Sequence, residues 1–443
     1  MTIQLSDHFT YKKLISFVMP SILMMIFVSI YGVVDGLFVS NFAGKTAFAA
    51  INLIMPFIMV LGGMGFMIGA GGTALVAKTL GEGEKDKANR YFTIMVLFTV
   101  ILGACLTLIG IVFLKPIAYF LGATEDMIGD CLIYGRIVIA FTTSFMLQNL
   151  FQNFLITAEK PKLGLIATVG AGVTNIVLDA LFVGAFSWGV AGAAFATGIS
   201  QCVGAVIPLV FFFKSKTSPL KFAKTKLEIK PIVKACENGS SELMSNISSS
   251  IVSMLYNFQL IKYIGEDGIS AYGVLMYVQF IFVSIFIGYV IGVAPVVGFN
   301  FGADNTDELK NIFKKSIILM SVSGVTLAAL AIVLAHPLAH IFVGYDQALN
   351  DLTVHAFKLF AFSFVLAGVN IFASSLFTAL NNGLVSAIIS FLRTLLFQLA
   401  SVIILPLVFD TDGIWYSITV AEIFAFMISL TFIVANRKRY RYY

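Results

Sequence analysis

Residues 14–40 read LISFVMPSILMMIFVSIYGVVDGLFVS and form the first of many long apolar runs in this chain. A run of about 18 or more apolar residues is long enough to cross a bilayer as an α-helix. This run follows Lys12 and Lys13, is too long for the apolar core of a signal peptide and has no cleavage pattern. It is therefore predicted to be a membrane-spanning helix that the mature protein retains.

The composition of the whole chain indicates a membrane protein. Hydrophobic residues make up 59% of the 443 residues and charged residues only 12%, which is about half the charged share of a soluble domain. We predict an all-α polytopic membrane protein with twelve transmembrane helices, six in each half, and reject a soluble protein with an oversized core. The predicted spans are 14–40, 47–77, 91–114, 129–157, 163–183, 189–213, 231–261, 269–300, 313–335, 351–378, 384–408 and 413–435.

The two halves of the chain are diverged copies of one another at a constant offset of 221 residues. Because each copy has an even number of spans, both insert the same way up, as parallel repeats do. This predicts two parallel six-helix lobes that face each other across a central cleft. The identities recur without a gap, for example Gly44 and Gly265, Gly81 and Gly302, Asp86 and Asp307, Asn149 and Asn370, and Gly192 and Gly413.

The distribution of lysine and arginine sets the predicted orientation of the chain. We expect an N-terminal lobe at 1–214, a cytoplasmic linker at 215–228 and a C-terminal lobe at 229–443. Basic residues cluster in the loops on the side that holds both termini and this linker. Both termini are therefore predicted to be cytoplasmic, with the protein a monomer in the cytoplasmic (inner) membrane, in contact with its lipids. The net charge of +5 arises largely from this bias and does not suggest nucleic-acid binding.

Four polar residues, Asp35, Asn175, Asp179 and Thr197, interrupt apolar spans of the first copy. Ionisable groups inside the membrane are costly and mark functional sites. At about 1.5 Å per helical residue, all four lie in the outer half of the first lobe. Two carboxylates in one poorly hydrated pocket repel each other, so the pair can bind and release a proton. These carboxylates, with the amide and hydroxyl oxygens of Asn175 and Thr197, could equally hold Na⁺, and no metal site is expected other than this one at Asp35 and Asp179.

Simpler interpretations of these four residues stay open at the level of the sequence. Asp35 could be hydrated at the outer surface, and Asp179 could make a structural hydrogen bond. Thr197 could bond to the backbone of its own helix, as membrane threonines often do. Pro20 lies inside span 1 and lacks a backbone N–H, so it permits a bend there. That bend is either a device that responds to protonation of Asp35 or a static kink.

The second copy lacks this acidic set and carries a different polar site, formed by Glu242, Lys358, Arg393 and Glu422. Arg393 and Glu422 are predicted near the membrane midplane in adjacent spans. They form either a buried ion pair or part of a site that binds a cation or the substrate. The residues that match the first-copy set at the common offset are Tyr256 for Asp35, Leu396 for Asn175, Ala400 for Asp179 and Ile418 for Thr197.

The chain resembles the MATE (multidrug and toxic compound extrusion) family, in its DinF/MepA-like prokaryotic branch. The resemblance covers nearly the whole chain, and its stretches are Pro20, YGVVDGLFVS at 31–40, AAINLIMP at 49–56, GEG at 81–83 and PVVGFNFG at 295–302. It implies a bent first helix and a proton site at Asp35, Asn175, Asp179 and Thr197. Sister branches carry an acid in span 10 for Na⁺. This chain has His355 and Lys358 there instead, which argues against a second-lobe sodium site of that kind.

These features together predict a secondary active multidrug efflux antiporter. It would export lipophilic and cationic small molecules in exchange for H⁺ or Na⁺ by alternating access. No enzyme activity and no cofactor beyond the coupling ion are expected, because the four cysteines are scattered and Pro337 separates His336 from His340. One alternative is a flippase for lipids or lipid-linked oligosaccharides from the same superfamily, which would need a cationic cavity. The other is an integral membrane enzyme, which would need a clustered nucleophile, metal ligands or a phosphate-binding loop.

Overall fold

The computed structural model describes residues 3–38, 45–215 and 218–443, and it is helical over nearly all of them. The first half contains α1 Tyr11–Phe38, α2 Lys45–Gly81, α3 Lys85–Phe120, α4 Glu125–Ala140, α5 Thr142–Thr157, α6 Pro161–Asp179 and α7 Gly189–Lys214. A π-helical turn, Ala180–Ala185, follows α6 directly. The end of predicted span 1 at residues 39–40, Gly44 of the repeat and residues 216–217 of the linker lie outside the described residues.

The second half repeats this order of helices. It contains α8 Ile229–Tyr263, α9 Glu266–Gly302, α10 Thr306–Val343, α11 Gln347–Phe360, α12 Ser363–Ala379, α13 Gly383–Phe391, α14 Phe397–Ile404 and α15 Pro406–Tyr440. A second π-helical turn, Leu392–Leu396, joins α13 to α14. Helix α15 is broken at Asp410, whose φ of 47° and ψ of −131° are not helical. This break separates predicted spans 11 and 12.

Each predicted span coincides with one helix, with a helix that includes a π-helical turn (α6 with its turn, and α13 to α14), or with a bent pair of helices. Within the described ranges, nine helices are long and apolar enough to cross a membrane, and eleven if α4–α5 and α11–α12 each count as one span. These two pairs bend by 51° and 47°. Helix α8 is 35 residues long but does not meet the same criterion, because Glu237, Glu242 and the serine-rich stretch 240–250 lower its hydropathy. It supplies the twelfth span by its length.

The offset of 221 residues found in the sequence also relates the helices. Helix α2 covers Lys45–Gly81, and α9 covers the matching residues Glu266–Gly302. The bend after α4 at Phe141 recurs after α11 at Phe362. Gly189 and Asp410, which also match, both have positive φ, 55° and 47°, which is uncommon for a residue other than glycine. The duplication therefore extends to local backbone geometry.

Glycines let the two lobes pack closely through α2, α8 and α9. A Cβ on Gly81 would overlap the carbonyl oxygen of Phe299, and a Cβ on Gly302 would overlap that of Lys78. Gly81 and Gly302 are repeat-related, so α2 and α9 cross symmetrically there. Gly71 of α2 meets the backbone of Ala235 on α8 in the same way. Small residues at helix crossings are the usual means of close packing in membranes.

An N-terminal strap, residues 3–10, ties the two lobes together next to this crossing. The backbone N–H of Leu5 donates to Glu159 Oε1 in the first lobe at 2.9 Å. In the second lobe, the N–H of Phe9 donates to Glu308 Oε1 at 2.9 Å, and His8 Nδ1 lies 2.6 Å from Glu308 Oε2. Leu5 and Phe9 are buried, with 2% and 0% of their surface exposed. The lobes are therefore held closed at the end of the molecule that carries the termini.

Candidate ion-coupling site

Helix α6 presents two of the predicted site residues on one face. Asn175 and Asp179 are one turn apart, and 2% and 0% of their surface is exposed. Asp179 is the last residue of α6, and the π-helical turn Ala180–Ala185 begins directly after it. Such turns interrupt the regular hydrogen-bond ladder of a helix and are frequent at functional sites.

Helix α1 reaches the same place because Gly172 allows it to lie directly on α6. A Cβ on Gly172 would overlap the ring of Phe27 and lie 3.0 Å from the ring of Tyr31. One turn beyond Tyr31, the half-buried Asp35 lies within direct interaction range of Asn175 and Asp179. The structure thus brings together two carboxyl groups that are 144 residues apart in the sequence.

Helices α7 and α4 complete the site with two hydroxyl groups. The side chain of Thr197 on α7 lies beside the hydroxyl of Tyr134 on α4, which is also close to Asp35 and Asp179. Tyr134 is 1% exposed. The structure therefore assembles all four residues predicted from the sequence and adds Tyr134, together with Tyr31 next to Asp35.

Several polar atoms of this site are buried without a hydrogen-bond partner among the described residues. They are Asp35 Oδ1, Asn175 Nδ2, Asp179 Oδ1 and Oδ2, and Thr197 Oγ1. Buried polar atoms are nearly always paired in folded proteins, and two carboxylates can hydrogen-bond to each other only when one holds a proton. The site is therefore suited to a proton shared between Asp35 and Asp179. Its carboxylate and hydroxyl oxygens also fit a hard cation such as Na⁺.

This geometry bears on the simpler interpretations of the sequence. Asp35 is half-buried and packed against α6, so it is not a fully hydrated surface residue. Neither oxygen of Asp179 makes a hydrogen bond to a described residue, which disfavours a purely structural role. Helix α1 runs as one continuous helix through Pro20 in this conformation.

In the second lobe the structure pairs two of the four predicted polar residues. Arg393 Nη2 donates to Glu422 Oε1 at 2.8 Å and Arg393 Nε at 3.0 Å. Asn370 Nδ2 donates to Glu422 Oε2 at 2.7 Å, so the carboxylate of Glu422 is well satisfied. Lys358 is exposed and Glu242 half-buried, and neither forms an ion pair within the described part of the chain. Arg393 and Glu422 therefore form a buried ion pair, and the side-chain amide of Asn370 donates a further hydrogen bond to Glu422.

Comparison with known families decides what kind of protein carries this site. The profile of the MatE family matches the chain twice, over residues 20–181 and 243–404. The chain belongs to the MatE family. The predicted family is thus confirmed, and each match falls within one copy of the sequence repeat. This MatE protein is an integral, multi-pass membrane transporter and not an enzyme.

Two multidrug export proteins are similar to this MatE chain along nearly its whole length. The multidrug export protein MepA of Staphylococcus saprophyticus is 24% identical over 441 residues, which are 97% of this chain and 94% of the relative. The multidrug export protein MepA of Staphylococcus aureus is 23% identical over 432 residues, with the same coverage of both chains.

Solved structures confirm the predicted fold of two parallel six-helix lobes. A MATE protein crystallised in complex with MaL6 superposes with a TM-score of 0.91 at 21% identity, over 97% of this chain and 98% of that one. An outward-facing multidrug resistance MATE transporter of the MOP superfamily gives a TM-score of 0.90 at 22% identity, over the same shares of the two chains.

Proposed function

We propose that this protein is a secondary active multidrug efflux antiporter that exports lipophilic and cationic compounds in exchange for H⁺ or Na⁺. The observation that carries the proposal is the pair formed by half-buried Asp35 and buried Asp179 inside the first lobe, with carboxyl oxygens that have no partner among the described residues. The relatives named multidrug export proteins support the class of substrate. The acids of the first lobe, and the neutralised Arg393 of the second, disfavour a flippase that binds pyrophosphate.

Protonation of this pair provides a means of coupling. With both carboxyl groups ionised, Asp35 on α1 and Asp179 on α6 repel each other in surroundings of low polarity. One proton converts that repulsion into a hydrogen bond that draws α1 toward α6. A sodium ion bound between the carboxylates would have the same effect on their repulsion. The coupling ion therefore controls how closely α1 packs on the first lobe.

Alternating access assigns this conformation to one side of the transport cycle. We place the protein in the cytoplasmic (inner) membrane with both termini cytoplasmic, as the basic loops indicate. The crossing of α2 and α9 and the N-terminal strap then close the cytoplasmic end, which makes the described state outward-facing. Export requires the lobes, 1–214 and 229–443, to separate at this end about the linker 215–228.

The energetics of exchange favour more than one coupling ion for each exported cation. Moving one charge through 100 mV is worth about 2.3 kcal/mol. A one-for-one exchange of H⁺ for a monovalent drug cation is electroneutral, so it uses only the ion gradient. Two ions for each drug cation would add the membrane potential, and Asp35 and Asp179 could each carry one.

The test is transport by the purified protein in vesicles that contain a fluorescent lipophilic cation. Asp35→Asn and Asp179→Asn are each expected to abolish the dependence of export on the gradient, under separate pH and sodium gradients. Asp126→Asn, an exposed acid in the first turn of α4, is the matched control. Undiminished, gradient-dependent export by both site variants would overturn the assignment, and the gradient that drives the unmodified protein identifies the ion.

A further inference from the structure

A basic pocket lies at the surface where α15 ends and α10 begins, remote from the ion-coupling site. It encloses about 500 Å³ and is lined by Thr306, Lys310, Arg437, Lys438, Arg441 and Tyr443. Four of the six lining residues are cationic, and none has an acidic side chain. We call this set the basic pocket. Its composition is that of an anion-binding site.

The four cations of the basic pocket have no acidic partner. None lies within 4.0 Å of a carboxylate in residues 3–38, 45–215 and 218–443. The two acids in the first turn of α10 do not pair with them. Glu308 interacts with His8 and accepts a hydrogen bond from the N–H of Phe9, and Asp307 is exposed and forms no ion pair within the described residues. Like charges gathered in one pocket repel, so an anion bound between them would be stabilised.

The C-terminal tail is folded so that these cations are held in place. Arg441 has a φ of 53°, a left-handed conformation that turns the chain back after α15. Tyr442 then inserts into the second lobe with 0% of its surface exposed, and its hydroxyl donates to the carbonyl of Ile433 at 2.7 Å. Its ring packs on Phe313 of α10 at 5.0 Å between centroids. The pocket is therefore part of the packed second lobe and not a loose basic tail.

The position of the basic pocket identifies the source of the anion. Helices α10 and α15 are both candidate membrane spans, and the pocket lies where one begins and the other ends. Leu430 and Val434 precede Lys438 at intervals of four residues, so they share its face of α15, and they are 48% and 47% exposed. An acyl chain lying along this apolar stripe would bring its phosphate to the pocket. Clusters of Lys and Arg beside a membrane span typically bind anionic lipids.

We propose that the basic pocket binds the phosphate headgroup of an anionic phospholipid, with an acyl chain along Leu430 and Val434. The bound lipid would join the start of α10 to the end of α15. Because Glu308, which anchors the strap, lies in the first turn of α10, the lipid would stabilise the platform on which the strap docks. This site is independent of the exported substrate and of the coupling ion.

The test measures lipid binding to the full-length protein in detergent by native mass spectrometry. Phosphatidylglycerol, phosphatidylcholine and inorganic phosphate are titrated separately against the unmodified protein, Lys310→Gln/Arg441→Gln and Lys438→Gln. Lys224→Gln/Lys226→Gln is the matched control, since it removes two exposed linker charges. We expect selective binding of phosphatidylglycerol, weakened about thirtyfold by the double variant, less by Lys438→Gln and not by the control.

Three results would overturn this proposal. Equal losses in the double variant and the linker control would show a general charge effect with no site. Inorganic phosphate that competes fully with phosphatidylglycerol would make a free anion the ligand. Equal binding of phosphatidylcholine would show that the anionic headgroup is not recognised. If the double variant does not fold, Lys438→Gln against a single Lys224→Gln provides the same comparison.

Discussion

Gly172 fixes the distance between the two helices that carry the acidic pair. Any side chain at this position must displace Phe27 or Tyr31 of α1. Gly172→Val is therefore expected to move α1 away from α6 and separate Asp35 from Asp179, at an overpacking cost of about 1–3 kcal/mol. Gradient-driven export should fall, and this loss should be at least as large as any loss in the yield of folded protein. Gly170→Val is the control on the same helix, because its Cβ would meet only Ile207, at 3.7 Å. Equal export by the two variants would contradict this role.

Tyr134 contributes a hydroxyl group beside Thr197 and the two carboxyl groups. Tyr134→Phe keeps the buried ring and removes only this group, so the fold should be retained at a cost of about 1 kcal/mol. Export is expected to become slower and its dependence on pH to shift, because one neighbour of the acidic pair is lost. The comparison is with Tyr272→Phe, a tyrosine that is 6% exposed and stacks on Tyr256 in the second lobe. Identical pH profiles for Tyr134→Phe and the unmodified protein would show that the hydroxyl plays no part.

Some residues of the site can be predicted from the sequence, and others cannot. A carboxylate inside an apolar run has few interpretations, since burying a charge in the membrane is expensive. Asp35 and Asp179 were therefore predicted directly, the helical spacing from Asp179 added Asn175, and the depth of Thr197 within its own span added the fourth residue. Tyr134 was missed because a tyrosine suits a core, a membrane interface or a site equally well. Only the packing of α4 against α7 shows that its hydroxyl lies beside Thr197 and near the two acids.

The N-terminal strap depends on one carboxylate at the start of α10. Glu308 accepts hydrogen bonds from the N–H of Phe9 and from Asn311, and pairs with His8. Glu308→Gln removes the charge from these contacts, and bonds to charged groups contribute about 1.5–3 kcal/mol each. Amide exchange at residues 3–10 should therefore accelerate. Glu266→Gln, an exposed acid in the first turn of α9, is the control. Unchanged protection of the strap would mean that Leu5 and Phe9 hold it by burial alone.

Helices were easier to place from the sequence than their bends. The apolar runs gave the spans, and the repeat gave their correspondence, because hydropathy and the offset extend over many residues. The bends of 51° and 47° after α4 and α11 were not foreseen. Proline and glycine are the usual sequence signs of a kink, and neither is present at Phe141 or Phe362. Both π-helical turns were also missed.

At the scale of the whole molecule, a symmetric scaffold carries an asymmetric chemistry. Helices α2 and α9 match along their whole length and cross at equivalent glycines. At the position of Asp35, however, the second lobe has Tyr256, which is 1% exposed. Its charged pair is instead Arg393 and Glu422, which neutralise each other. The repeat therefore sets the common arrangement of the helices in both lobes, and the acidic pair that we propose to bind the coupling ion belongs to the first lobe.

The symmetric crossing gives equivalent positions at which closure of the lobes can be tested. Gly81→Ala and Gly302→Ala each place a methyl group against a carbonyl oxygen of the opposite lobe. Both should open the terminus-bearing end to a similar extent, since overpacking such a contact costs about 1–3 kcal/mol. Spin labels at the exposed, repeat-related positions Asp86 and Asp307, in a background without the native cysteines, would report the separation of the lobes.

Both glycine variants are expected to lengthen the distance between these labels and to reduce the amount of substrate exported in each transport cycle. Gly273→Ala on α9 is the control, because its Cβ would meet nothing within 4 Å. If Gly81→Ala and Gly302→Ala leave the distance as short as Gly273→Ala does, the crossing is not what holds this end closed. The strap would then be the principal lock, and combining Glu308→Gln with Gly81→Ala would open the lobes no further than Glu308→Gln alone.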